Sequence, residues 1–238
     1  MNKKTESGPK SILEGNIIYQ LLIWRRILLL TDGRDKLLKI AQYSSKVLLW
    51  KVLTVPKSAA QAKAKLLVSH LSLARKIIRL AHFLEPLKDG LDLINEKPDF
   101  SSLAAKLAPL NVVIGILNDL SDDAICLGKM GMIDSWWIEK CTPVSDRLWY
   151  MSIFIDLHSN VLDMKKLEVK YLKEEDQKAK EALKQKLLMA RVSFVKLMMD
   201  FIFCTVDVFQ LKVSDGVQAC AGFFAALLGT YKLYKKNI

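Results

Sequence analysis

The chain has 238 residues, 51% of them hydrophobic and 26% charged, with a formal net charge of +11. That apolar content excludes a disordered chain, and ten Gly with six Pro leave room for long unbroken elements. The cysteines, Cys126, Cys141, Cys204 and Cys220, include no close pair, which excludes a Cys-x-x-Cys motif and points to reduced thiols in a cytosolic setting.

Residues 1–10 are polar and are read as a flexible N-terminus. They show neither the apolar core of a secretory signal nor an arginine-rich transit pattern. Helical periodicity then dominates to the end, and no alternating strand pattern persists. A first helix is predicted over residues 11–30. Thr31-Asp32-Gly33 breaks it, with Thr31 or Asp32 as cap for a second helix over 34–53, which Val55-Pro56 ends. A third helix starts near Ser58 and stops near Glu85-Pro86, because the residue before proline avoids the α region. Residues 86–94 form a short helix and 95–99 a loop. A further helix runs from Ser101 towards Leu127, bent near Pro109, and Gly128 to Gly131 form a turn. Thr142-Pro143 matches an N-cap followed by proline, so a long helix is expected from there to about Arg191, its Lys/Glu-rich stretch over 165–186 solvated on most faces. Residues 192–212 are apolar with Asp200 and Asp207 embedded, and a final helix follows Asp215-Gly216. The soft boundary at 95–99 divides a basic membrane-binding helical region, 11–95, from a C-terminal helical region, 100–238.

Charge is distributed unevenly. Between Lys36 and Leu84 there are eight lysines, two arginines and no acid. Such an imbalance points to a surface that meets something anionic. At 100° per residue, Lys65, Ser69, Ser72, Arg75, Lys76, Arg79 and His82 fall on one side of the third helix. Leu66, Leu67, Leu71, Leu73, Ile77, Ile78, Leu80 and Leu84 occupy the other, and Phe83 breaks the rule. A core-facing bundle helix with a basic outer face has the same geometry. The helix has no acid of its own for i,i+4 pairing, which favours an anionic membrane surface. There each Lys or Arg contributes about 1 kcal/mol, so Arg75, Lys76 and Arg79 supply about 3 kcal/mol. Lys63 extends the basic end. Nucleic acid is disfavoured, because no recognised binding motif is present and Tyr43, Trp50 and Phe83 lie in apolar-rich helices.

A spanning helix needs about 20 mostly apolar residues. The longest charge-free run, 216–231, covers sixteen residues and the next, 107–118, is shorter; neither is a convincing span. In the first of them Ala219, Gly222, Ala226 and Gly229 share one side, which suits close helix packing in lipid or in a bundle. Trp136-Trp137 reads equally as an interfacial anchor, a core plug or a partner-binding knob. His70, His82 and His158 are isolated, no cluster has metal-ligand spacing, and no phosphate loop or nucleophile elbow exists. Asp119, Asp122 and Asp123 are read as solvated or lysine-paired. No catalytic residue, cofactor or metal is expected.

Gly33-Arg34-Asp35-Lys36 followed by Ala41-Gln42-Tyr43, then Ser72-Leu73-Ala74-Arg75-Lys76-Ile77-Ile78-Arg79-Leu80 with Phe83-Leu84-Glu85-Pro86-Leu87, resemble two motifs of the peroxin-eleven family of peroxisomal membrane proteins. The tail, with Gly229, Tyr231 and Leu233 before a lysine cluster, is similar to its C-terminal apolar segment. The resemblance covers about residues 12–236, and the stretch 165–186 departs from it. It implies a helix that binds and tubulates anionic membrane, elongation of peroxisomes before division, and recruitment of fission factors or small GTPases. A fungal branch devoted to peroxisome formation and size control is one placement.

The expectation is therefore an all-α, non-enzymatic, multi-helix membrane-associated bundle on the cytosolic face of the peroxisomal membrane. The helix over 63–84 inserts its apolar half into anionic phospholipid, held by Arg75, Lys76 and Arg79, and a homo-oligomer concentrates the effect. An adaptor for a fission factor or GTPase and a metabolite-permeable channel are the alternatives.

Overall fold

The computed structural model describes residues 9–52, 58–96 and 102–238, with side chains in the first helix from Asn16 on. Among the described residues there are eight helices and no strand: α1 Pro9–Leu29, α2 Thr31–Lys51, α3 Ala59–Ile78, α4 Leu84–Glu96, α5 Leu103–Lys129, α6 Trp136–Lys173, α7 Gln177–Val208 and α8 Asp215–Lys236. The protein is all-α, as its periodicity predicts. Residues 1–8, Val55-Pro56, 97–99 and Ser101 lie outside the described residues.

Short polar side chains set most helix starts. Ser58, Ser102 and Ser214 sit in extended backbone and accept from Gln61 N, Ala105 N and Gly216 N. Their oxygens satisfy amides that have no partner in the first turn. Asp176 accepts from Lys178 N and Ala179 N, which starts α7 and ends the long helix expected up to Arg191. The stretch 165–186 is therefore a two-helix hairpin, and most of it is exposed.

Three other expectations are corrected. Thr142-Pro143 starts no helix: α6 begins at Trp136, and the Thr142 hydroxyl donates to the Ile138 carbonyl one turn back. Neither Thr31 nor Asp32 caps α2. Leu30 takes that position with no side-chain bond, and Asp32 lies in the first turn, where a negative charge suits the helix dipole. The third helix ends at Ile78, before a turn in which Ala81 adopts a φ of 63°.

Six helices close a ring. α2 packs on α3 and α8, α8 on α7, α7 on α6, α6 on α5, and α5 on the end of α3. Helices from both sides of the 96–102 connection share it. α4 lies against α5, with Pro86 beside Gly115 and Val112 beside Gly90. α1 leans on α2 and α8. There Ile23, Ile27 and Leu233 form a small buried cluster, Trp24 and Tyr234 cover it with ring centroids 5.6 Å apart, and the Tyr234 hydroxyl donates to Gln20 at 2.6 Å.

Glycine decides two of these packings. A Cβ on Gly222 would collide with the Tyr43 ring, and one on Gly216 with the Trp50 indole. Ala219, Gly222, Ala226 and Gly229 are all buried, and they let α2 and α7 approach α8 closely.

A charged chamber inside an apolar ring

The ring encloses charge and presents oil. A chamber of about 550 Å³ runs between the six helices. Its α2 wall runs from Thr31 to Lys46, which at 1.5 Å per residue is roughly 23 Å of polar path. α2 contributes Lys36, Lys39 and Lys46, α3 contributes Arg75 and Lys76, and Arg79 follows at the α3 C-cap. Facing them stand Asp119, Asp122 and Asp123 of α5, Asp146 of α6, and Asp200 and Asp207 of α7.

The two sides pair. Asp200 is buried and receives Lys39 at 3.3 Å and Lys196 at 2.9 Å. Arg75 donates through Nε to Asp35 at 2.8 Å and through Nη1 to Gln42 at 2.8 Å. Lys76 reaches Asp122 at 2.8 Å, and Arg79 reaches Asp119 at 3.5 Å. Gln218 donates to Asp207 at 2.5 Å, and the Ser145 hydroxyl donates to Asn118 and Asp122. The N–H of Ala81 donates to Asp123 at 3.1 Å, which holds the left-handed turn against α5. In that turn, outside the helices, His82 meets Asp119 at 2.8 Å and Glu85 at 3.3 Å. The hydrogen bond to Asp119 raises the His82 pKa above the ordinary imidazole value, and partial burial opposes it.

The outer surface has the opposite character. α5 exposes Leu110, Val113, Leu117 and Leu120 at helical spacing, and α8 exposes Val217, Phe224, Leu227 and Tyr231. Val195 and Ile202 do the same on α7, and Phe209 does so just past its end. Among the described helices, α5 is the one long and apolar enough to cross a membrane, with a mean hydropathy of 1.4 and 11% of that window buried. The charge-free run 107–118 underestimates it because Asp119, Asp122 and Asp123 prolong the helix while facing the chamber.

This geometry accounts for the acid-free window differently from the sequence argument. The cations of α3 have acids to pair with, supplied by α2 and α5, so Arg75, Lys76 and Arg79 point inward. Lys63 and Lys65 are exposed at the other end of the helix. Of the predicted apolar face, Leu66 is 57% exposed, Leu84 55% and Ile77 40%; Leu67 and Leu80 are exposed too. Leu71, Leu73 and Ile78 are half-buried. α4 continues this surface with Leu87, Leu91 and Ile94, which the sequence argument left out although they recur at helical spacing. Gly33 is buried where α2 starts, and a Cβ there would collide with the Ile27 carbonyl; Arg34 donates to the Leu28 carbonyl, Asp35 receives Arg75, and Lys36 pairs with Asp32.

The family sequence model described as Peroxisomal biogenesis factor 11 (PEX11) matches residues 23–234. This chain belongs to that family. No curated protein and no solved structure gives a significant match. Membership of the PEX11 family places the protein among peroxisome biogenesis factors that act at the peroxisomal membrane in proliferation and remodelling, and that family is not one of enzymes. Both PEX11-like motifs lie on the chamber's cationic side, in α2 and across the turn from α3 to α4.

Proposed function

We propose that this PEX11-family protein elongates the peroxisomal membrane ahead of division by embedding the ring in the bilayer, with the outer face of α3 and α4 inserted among lipid chains. The observation that carries this reading is the inverted polarity of the ring: the charges that line its chamber pair inside it, and large apolar side chains of α5, α7 and α8 face outward. In water each such half-exposed Leu or Phe forgoes part of the about 1.5–3 kcal/mol that full burial gives. In lipid an unpaired charge at the bilayer centre costs about 2.5–3.5 kcal/mol or more, and pairing inside the ring avoids that cost. α5, with 27 residues, is about 40 Å long, more than the hydrocarbon thickness of about 30 Å.

Insertion of α3 and α4 adds area unevenly to the two leaflets, and self-association concentrates it. Lys63 and Lys65, exposed on α3, attract anionic headgroups. The chamber supports a second reading, a path for small polar metabolites, because it is lined by charge along most of the membrane thickness.

The test reconstitutes the full chain into anionic and neutral vesicles and scores tubules by electron microscopy. The wild type is expected to tubulate anionic vesicles. The variant Leu66→Glu, Leu67→Glu, Ile77→Glu alters exposed positions only, so it should keep its helicity and lose tubulation. Equal tubulation by that variant would contradict the proposal.

A further inference from the structure

We propose that the chamber moves zwitterionic phospholipids between leaflets, so that the protein is a lipid scramblase as well as a remodelling factor. This rests on the ring lying in the bilayer, as above. The juxtaposition that points to it is a cation-rich wall on α2 and α3, which also carries Asp32 and Asp35, facing a carboxylate-rich wall on α5, α6 and α7, which also carries Lys129 and Lys196, the two joined along a seam that can part.

The barrier to lipid crossing is the burial of headgroup charge in hydrocarbon. A phosphatidylcholine or phosphatidylethanolamine headgroup carries a phosphate and an ammonium. Between these walls the phosphate meets Lys39, Lys46 and Arg75, while the ammonium meets Asp122, Asp146 and Asp207. A simple anion would face the carboxylates as well as the lysines, and a simple cation would face the lysines as well as the carboxylates. The chamber therefore favours a solute that carries both signs. Its polar path along α2, residues 31 to 46, is roughly 23 Å and replaces most of the apolar crossing.

The acyl chains must stay in lipid while the headgroup travels, so the wall needs a lateral opening. The α3–α5 side provides it. α3 packs along α2 but makes no contact with α6 or α7. It lines the chamber only from Ser72 onward. Its end and the turn that follows are tied to α5 by polar links: Lys76 to Asp122, Arg79 and His82 to Asp119, and the Ala81 N–H to Asp123. When such a pair parts, the phosphate takes the place of the carboxylate beside the cation and the ammonium takes the place of the cation beside the carboxylate. Each charge exchanges one partner for another, and no covalent bond changes.

The experiment reconstitutes the full chain into vesicles of phosphatidylcholine and anionic phosphatidylglycerol that hold a trace of phosphatidylcholine fluorescently labelled on an acyl chain in both leaflets, and entrapped phosphocholine. A membrane-impermeant reductant then bleaches the outer leaflet, and continued bleaching reports lipid crossing. Crossing is expected to be more than about tenfold faster than in protein-free vesicles, equivalent to roughly 1.4 kcal/mol off the barrier. Lys76→Leu with Asp122→Leu keeps the seam shut with an apolar pair, a replacement that is often neutral or stabilising. It should keep the thermal midpoint and lose the acceleration. Lys76→Asp with Asp122→Lys restores opposite charges and should restore crossing.

No acceleration by the wild type, or full acceleration by the apolar pair with its fold intact, would overturn the proposal. Escape of phosphocholine faster than lipid crosses would also overturn it, by making the chamber a solute pore. Tubule formation is scored on the same vesicles. Tubules without lipid crossing sink this inference alone, and crossing without tubules sinks the remodelling reading alone.

Discussion

Asp200 shows most clearly what holds the ring together. It is 4% exposed and sits between Lys39 and Lys196, so removing it leaves two cations without their carboxylate. Asp200→Ala is expected to cost about 3–5 kcal/mol in a detergent unfolding series, the range for breaking a buried pair from one side. Asp92→Ala, which breaks the exposed Lys88–Asp92 pair, should leave the midpoint unchanged. His82 carries a pH dependence. Its raised pKa means that its bonds to Asp119 and Glu85, beside Arg79, stabilise the fold fully below the unfolded value of about 6.5. That contribution is lost as the pH rises through the higher folded value. The thermal midpoint should fall over that interval, and His82→Gln should flatten the curve. These partnerships were half legible in the sequence. An acid-free basic window and the carboxylates Asp119, Asp122, Asp200 and Asp207 on apolar helices are both visible there. What joins them is a contact across more than a hundred residues in the case of Lys39 and Asp200, and periodicity along one helix carries no sign of that.

At the scale of elements, α8 works as a smooth spacer. Small residues on one side let it lie between α2 and α7, and Gly222 faces the Tyr43 ring. Gly222→Val is expected to destabilise by about 1–3 kcal/mol through overpacking. Tyr43→Ala in the same chain should recover part of the loss, measured as a coupling in a double-mutant cycle. The spacing Ala219, Gly222, Ala226, Gly229 made that face legible without the structure. The start of α3 was legible at Ser58, and the start of α8 was placed within two residues of Asp215. Thr142-Pro143 misled because the proline lies inside α6 and not at its start, and the threonine hydroxyl turned back to Ile138. Asp176 was overlooked inside a run of charges that reads equally well as one solvated helix.

At the scale of the whole molecule, the arrangement inverts that of a water-soluble bundle. Soluble bundles hide apolar stripes and show charge. Here Asp200 lies inside among lysines, while Leu117, Phe224 and Ile202 lie outside. Composition alone did not reveal this, because a hydrophobic fraction of 51% suits either arrangement. The PEX11 match fixes the family and its organelle, and the apolar outer face of the ring supports the proposal that it lies in the bilayer. The most direct test labels Leu117→Cys and Phe224→Cys with a nitroxide, in a chain whose Cys141 and Cys220 are serine, reconstituted in vesicles. Oxygen, which concentrates in lipid, should broaden both signals strongly, while a water-soluble nickel reagent should leave them unchanged. Broadening by nickel at both sites, with little effect of oxygen, would contradict the account.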